Sequence, residues 1–275
     1  MTELADLSWR VLDEEVREGP TNMALDEIAA ETAAADGIAT IRLYRWRPST
    51  LSLGYNQDPE TIDWDYCEHE GITVTRRPTG GGAIYHDSHG DISYSIVVPA
   101  DAVPGDLMAC YERLCTPVID TFEGMNIDAG FADETQPAIY QPACYLRELH
   151  PAHDIVGPDG RKVSGNAQYR QRDAVVQHGS LTFETSPERH CACFTGDPDP
   201  DAFADRVGGI DEYADLTRAD AVATLRSTLT AWIEGLGGTV ESSGWTDDEL
   251  ARARERASGK YESTAWTRDR TDPIA

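Results

Sequence analysis

Apolar and polar positions along the chain alternate between helical and strand spacing, and the switches divide it into elements. Residues 21–34 (TNMALDEIAAETAA) place Met23, Ile28 and Ala29 on one helical face behind Thr21, a suitable N-cap. Residues 39–46 (ATIRLYRW) read as a strand that Pro48 ends, and residues 51–54 as another short strand. Residues 72–77 are β-branched and stop at Pro78, and residues 91–98 (DISYSIVV) form a further β-branched run. Residues 107–122 carry Leu107, Tyr111, Leu114, Val118 and Phe122 near helical spacing. Residues 154–156 and 161–164 flank Gly157-Pro158-Asp159-Gly160, where Pro presets φ and Gly accepts φ > 0, a hairpin signal. Residues 174–183 predict the next strand, and residues 217–236 and 247–257 two closing helices. The strands come in hairpins, not in alternating βαβ units. The predicted fold class is therefore α/β (α+β), a mixed, largely antiparallel sheet with helices packed on one side. With no repeats and no low-complexity linker, the expectation is one domain over residues 1–275, with a small, mainly helical C-terminal part at about 213–275.

Charge narrows the function. The 275 residues include 49 Asp+Glu against 23 Lys+Arg, a formal net charge of −26 at pH 7. Such an excess repels phosphate backbones and anionic lipid surfaces, so neither nucleic acid nor membrane is an expected partner. No apolar run approaches the ~20 residues of a spanning helix. The acidic start MTELADLSWRVLDEE lacks the basic and apolar regions of a signal peptide, so the expected compartment is the cytoplasm. Hydrophobic residues make up 40 %, yet six Trp, eleven Tyr and five Phe spread along the chain argue for a folded core over disorder. The combination predicts a halophilic protein, because concentrated salt screens surface carboxylates from one another. Only Lys162 and Lys260 supply lysine, which makes both candidates for positions where Arg cannot substitute, the alternative being chance survival. His190, Cys191 and Cys193 lie close together but lack the second ligand pair of a structural zinc site, so no metal centre is expected from them.

Four segments carry chemistry. In Arg76-Arg77-Pro78-Thr79-Gly80-Gly81-Gly82-Ala83-Ile84-Tyr85-His86-Asp87 a strand delivers two guanidinium groups to a triple-glycine loop. Successive glycines let backbone N–H groups converge on an anion, and arginine adds charge-assisted hydrogen bonds to phosphate or carboxylate. In Lys162-Val163-Ser164-Gly165-Asn166-Ala167-Gln168 a lysine follows the tight hairpin and can point into a pocket as a fixed positive charge. Gln177-His178-Gly179-Ser180 lies on the following strand. Cys144, 18 residues before Lys162, sits in Ala143-Cys144-Tyr145. A lysine nearby would favour its thiolate, the form that makes an acyl-thioester.

In their order along the chain these segments resemble the lipoate–protein ligase A family of the biotin/lipoate ligase superfamily. The resemblance also takes in Asn22-Met23-Ala24-Leu25-Asp26-Glu27, Arg45-Trp46-Arg47-Pro48, Leu51-Ser52-Leu53-Gly54-Tyr55-Asn56-Gln57, and the closing Lys260-Tyr261-Glu262-Ser263-Thr264-Ala265-Trp266, where Lys260 has a structural place. It spans about residues 20–267. It implies a class II synthetase/biotin ligase-like domain and attachment of lipoate, or its octanoyl precursor, to one lysine of a lipoyl domain. In the ligases, ATP with Mg²⁺ converts lipoate to lipoyl-AMP before transfer to E2 subunits or the glycine cleavage H protein. On that pattern Arg76, Arg77, Gly80, Gly81, Gly82, Ala83, Ile84, Tyr85, His86, Asp87, Gly165, Asn166, Ala167 and His178 bind the nucleotide and acyl group, and Lys162 holds the acyl carbonyl and α-phosphate. The acyl chain would run past residues 51–54. A ligase of this length lacks the extra C-terminal domain of the longest members, so a separate accessory subunit would assist adenylation. Other members are octanoyltransferases that use no ATP. They take the acyl group from acyl carrier protein onto a cysteine, and Ala143-Cys144-Tyr145 resembles that context. The Gly80-Gly81-Gly82 loop resembles the ligases, which makes the ATP-dependent ligase the leading expectation, the Cys144-dependent transferase the alternative, and a non-catalytic lipoyl-domain adaptor the remaining one.

Overall fold

The computed structural model describes residues 3–151, 153–171, 173–241 and 243–274. Strand β1 (Ser8–Arg17) leads into helix α1 (Gly19–Asp36), followed by β2 (Ile38–Trp46), β3 (Thr50–Leu53), α2 (Trp64–His69), β4 (Thr73–Arg76), β5 (Ile84–His86) and β6 (Asp91–Pro99). Next come α3 (Leu107–Gly124), β7 (Gly130–Phe131), β8 (Asp154–Val156), β9 (Lys162–Gln171), β10 (Ala174–Thr182), α4 (Pro187–Ala192), α5 (Pro200–Arg206) and α6 (Ile210–Tyr213). The chain closes with α7 (Arg218–Gly235), β11 (Thr239–Glu241), α8 (Asp247–Arg256), a π-turn at Ala257–Tyr261 and α9 (Thr264–Thr267).

The large sheet has the order β11-β1-β2-β6-β10-β9-β8-β7. From β2 to β7 every pairing is antiparallel, while β1 runs parallel to both β2 and β11. The fold is thus mixed and largely antiparallel, as the hairpin pattern predicts. A second, three-stranded sheet, β4-β3-β5, stands apart. Strand β1 is invisible to pattern reading because a register shift between Leu12 and Glu15 breaks its alternation and its far half, with Asp13 and Val16, is exposed.

Helices cover both faces of the large sheet, not one. Strand alternation explains why: Ile41 and Leu43 of β2 and Ile92, Tyr94 and Ile96 of β6 meet Leu114, Val118 and Phe122 of α3 and Leu225 and Leu229 of α7. On the opposite face Val97 and Val176 pack under Ala29, Ala30 and Ala33 of α1, small residues that let helix and sheet approach closely. Helix α1 is in turn covered by Ala253, Tyr261 and Trp266. It is buried nearly all round because it lies between two layers, and its Asn22, Asp26, Glu27 and Thr32 are buried with it. It begins two residues before Thr21, with Pro20 in its first turn, and ends at Gly37 with φ 70°, whose N–H returns to Ala33 O at 3.1 Å. Residues after Tyr213 are mainly helical and divide between the faces, α7 beside α3 and α8 beside α1. Among the described residues no helix is long and apolar enough to cross a membrane.

Candidate active site

The small sheet closes against the large one through β5: His86 stacks on Trp46 of β2, ring centroids 4.0 Å apart. An open cavity of about 720 Å³ lies at this join. Met23, Tyr44, Trp46 and Ile84 form its buried apolar lining; Gly80, Arg147, Glu148 and His153 line its solvent side. Between them stand Ser52, Arg77, His86, Cys144, Asp154, Lys162 and His178.

The Cys144 loop is held by the glycine loop. Ala83 N donates to Pro142 O at 2.7 Å, and Cys144 N donates to Ala83 O at 2.7 Å. A Cβ at Gly82 would lie 2.6 Å from Pro142 O and 2.9 Å from Cys144 N, so the approach requires glycine. Arg77 braces the loop from below. Its Nε donates to Thr79 Oγ1 at 3.0 Å, one terminal nitrogen to Ser52 O and Oγ at 2.7 and 3.3 Å, and the other to Gly80 O and Gly82 O at 2.8 and 2.7 Å. Those bonds occupy all five guanidinium donors. Burial depresses the Arg77 pKa, and the nearby Cys144 opposes that shift.

Lys162 is 4 % exposed and reaches Asp154 Oδ1 at 2.7 Å across the β8–β9 hairpin. Its side chain lies over Gly165, where a Cβ would sit 3.0 Å from Cε and 3.1 Å from Nζ. Its Nζ is 5.4 Å from the Tyr145 ring centre. Burial works against the Lys162 charge, but Asp154 and then Cys144 outweigh it and raise the pKa above the ordinary lysine value. Burial likewise opposes ionisation of Asp154, and Lys162 overcomes it to hold that carboxyl well below the usual range. The pair thus places a permanent ammonium in the wall that carries the thiol.

The two deep histidines each have Nε2 held by a hydroxyl and Nδ1 facing a carboxylate. His178 Nε2 meets Thr79 Oγ1 at 3.0 Å, and its Nδ1 lies 3.6 Å from Asp26 Oδ2. His86 Nε2 meets Ser52 Oγ at 3.0 Å, with Nδ1 3.4 Å from Asp91 Oδ2. Burial lowers the His86 pKa, against the pull of Asp91. Asn166 Oδ1 accepts the Tyr94 hydroxyl, and its Nδ2 donates to His153 O at 2.9 Å.

Of the residues singled out from sequence, Cys144, Lys162, Arg77, Gly80, Gly81, Ile84, His86, Gly165, Asn166, Ala167 and His178 come together at this cavity. Gly82 and Ala83 stand behind it as the bridge to the Cys144 loop. Tyr85 and Asp87 face a smaller cavity, where Tyr85 donates to Asp87 Oδ2 at 3.0 Å. Arg76 is fully buried elsewhere. It donates to Gly54 O, Tyr55 O, Gln57 O and Thr267 O, fastening the C-terminal segment, and burial brings its pKa down to about 10. Lys260 also has structural partners, Glu27 Oε1 and Asp272 Oδ2, each at 2.8 Å. His190 packs among Tyr145, Phe194 and Phe203, and burial presses its pKa to about 3. Among the described residues no group of His, Cys, Asp and Glu is arranged to hold a metal ion.

Sequence reasoning missed Asp154, His153 and Tyr145. For Asp154 a signal exists: a buried lysine needs a counter-ion, and the Gly157–Gly160 turn sets Asp154 directly opposite Gly165.

A thiol and a fixed ammonium thus share the lining of one largely apolar cavity between two sheets, an arrangement chemically suited to acyl transfer. Residues 18–230 match the lipoyl protein ligase A/B catalytic domain, and the chain belongs to that family, an enzyme of the lipoyl/octanoyl transferase kind. It is 30 % identical to Octanoyltransferase LipM of Anoxybacillus flavithermus over 276 residues, which cover 94 % of this chain and 97 % of the relative. It is 28 % identical to the protein of that name from Halalkalibacterium halodurans over 274 residues, 94 % and 98 % of the two chains. The fold is shared with lipoate-protein ligase A bound with ATP (TM-score 0.78, 22 % identity, 95 % and 99 % coverage). It is shared too with the bi-partite lipoate protein ligase of Thermoplasma acidophilum, described with its E2 lipoyl domain (TM-score 0.77, 21 % identity, 95 % and 96 % coverage).

Proposed function

We propose that the protein is an octanoyl-[acyl carrier protein]:protein N-octanoyltransferase. The observation that carries this reading is Cys144 on the cavity wall with the Lys162 ammonium on the same lining. Relatives named octanoyltransferase, matched almost end to end, support it.

The Cys144 sulfur attacks the thioester carbonyl of the octanoyl carrier, and its S–H proton passes to the departing carrier sulfur. The developing oxyanion is stabilised by the Lys162 ammonium, which Asp154 keeps charged and in place. The carbon–sulfur bond to the carrier breaks, and the carrier leaves as a thiol. The octanoyl chain then lies along Met23, Tyr44, Trp46 and Ile84, and the acceptor lysine of a lipoyl domain attacks the new thioester. An amide forms and Cys144 is released. E2 subunits and the glycine cleavage H protein are the acceptors this chemistry serves.

The ligase route, the leading expectation from sequence, draws support from the fold it shares with an ATP-bound lipoate ligase. The residues here fit it less well. Arg76 and Arg77, the two guanidiniums expected at the phosphates, both direct their donors to backbone carbonyls and neighbouring hydroxyls. The proposed route therefore runs through thioesters alone, with no ATP, Mg²⁺ or accessory subunit. Its test is transfer from octanoyl carrier protein to an apo lipoyl domain without ATP, followed by the acceptor's mass. Cys144→Ala and Lys162→Ala should each abolish it. Transfer that needs ATP and lipoate and survives in Cys144→Ala would restore the ligase.

A further inference from the structure

We infer that His153 is the general base that takes the proton from the acceptor lysine. This rests on the thioester route proposed above. The two halves of that route differ in proton balance. In the first, the S–H proton of Cys144 ends on the departing carrier sulfur, and none is released. In the second, the acceptor arrives as an ammonium, since a lysine titrates near about 10.4. Its nitrogen bonds to the acyl carbon, the C–S bond to Cys144 breaks, the sulfur regains one proton, and one is left over. That step needs a base that faces the cavity and opens to water.

Most titratable groups on the cavity do not qualify. Lys162 is held as an ammonium by Asp154, and Asp154 is occupied by it. His86 and His178 are buried from water, and each already commits Nε2 to a protein hydroxyl, Ser52 Oγ and Thr79 Oγ1. Glu148 is exposed on the solvent side, and no hydrogen bond among the described residues orients it toward the cavity.

His153 differs on each point. It lines the cavity, its side chain is 34 % exposed, and its Nδ1 lies 3.5 Å from Asp154 Oδ1. Among the described residues its Nε2 has no hydrogen-bond partner. A separation of 3.5 Å exceeds a formed hydrogen bond, and a proton gained at Nε2 draws the charged ring and carboxylate together. The ring is positioned from several sides. Asn166 of β9 anchors its carbonyl, the His150 ring stacks on it at 5.1 Å, and Tyr111 of α3 stands 5.5 Å away. The groups facing it are thus Asp154 from β8, Lys162 through that carboxylate, Tyr111, and His150 from its own loop. Asp154 serves both cationic partners, holding Lys162 charged and stabilising the imidazolium that forms at His153.

The experiment separates the half-reactions. Enzyme loaded with octanoyl at Cys144 and freed of carrier is mixed either with apo lipoyl domain or with hydroxylamine, a nucleophile uncharged at pH 7. In His153→Asn, transfer to lysine should fall about 100-fold at pH 7. It should recover as the pH approaches the acceptor's own pKa, while loading of Cys144 and release by hydroxylamine keep their wild-type rates. Unchanged lysine transfer would overturn the inference, as would an equal loss with both nucleophiles, which marks a merely structural residue. Failure of the wild type to form any octanoyl-Cys144 would overturn the thioester route and this inference with it.

Discussion

Lys162 is one of two lysines in 275 residues, and its surroundings explain why arginine does not replace it. The Lys162 side chain packs tightly over Gly165, where an added Cβ would lie only 3.0 Å from Cε, and its compact ammonium meets one carboxylate oxygen of Asp154, whereas a planar guanidinium needs room for five donors. The pair also makes a stability statement. The Asp154 carboxyl is held below its ordinary value, so its contribution is present above about pH 4 and fades as the pH falls further. Lys162 is shifted up, so its contribution is complete below about pH 10 and fades only at higher pH. Asp154→Asn, which strands a buried ammonium, should therefore cost about 3–5 kcal/mol at pH 7 in urea unfolding. The gap from wild type should narrow below about pH 4, and a gap independent of pH would refute the pairing. Lys162 and Cys144 were legible from residue type and family likeness. Asp154 and His153 were not, because Asp154 reaches Lys162 only once β8 and β9 pair, and His153 lies in the loop before β8, tied to Asn166 of β9.

At the scale of elements, the site depends on the contact between the glycine loop and the Cys144 loop. The triple glycine suggested an anion cradle, and part of its purpose is steric: Gly82 lets Pro142 and Cys144 approach a backbone that any side chain would push away. Gly82→Ala should displace the Cys144 loop, break its two 2.7 Å backbone bonds and lower octanoyl transfer at least about tenfold by misplacing the nucleophile. Wild-type activity in that variant would show that the loop tolerates separation. The main hairpins and long helices were readable because their apolar spacing or turn chemistry is strong, as at Gly157–Gly160 and along α3. Strand β1 and the three-residue β5 were not, and although residues 51–54 and 72–77 read as the strands β3 and β4, nothing in their spacing shows that they pair in a sheet of their own. Placing the helices on one side failed for a related reason. Val97 and Val176 are apolar on the face opposite Ile96 and Val175, and short β-branched runs do not reveal that both faces are covered.

Over the whole molecule, 49 carboxylates meet 23 lysines and arginines, so a net 26 negative charges remain without a formal cation. Three buried arginines take carboxylate partners: Arg10 pairs with Glu249, Arg42 with Asp26 and Arg218 with Glu14 at 2.6–2.9 Å. The surplus therefore sits at the surface, where repulsion is open to screening as the Debye length shrinks from about 10 Å at 0.1 M salt to about 3 Å at 1 M. The unfolding temperature should rise across that range, and a flat or falling profile would contradict a fold adapted to concentrated salt. Charge says little about the chemistry, which resides in one cavity between two sheets. Its central claim is a covalent octanoyl-enzyme, read directly by intact mass after the protein is mixed with octanoyl carrier protein alone and quenched in acid. One added octanoyl group, mapped to Cys144, lost in Cys144→Ala and discharged by apo lipoyl domain, is the predicted result. Acceptor octanoylation at full rate with an unmodified enzyme, or an adduct on any other residue, would contradict it.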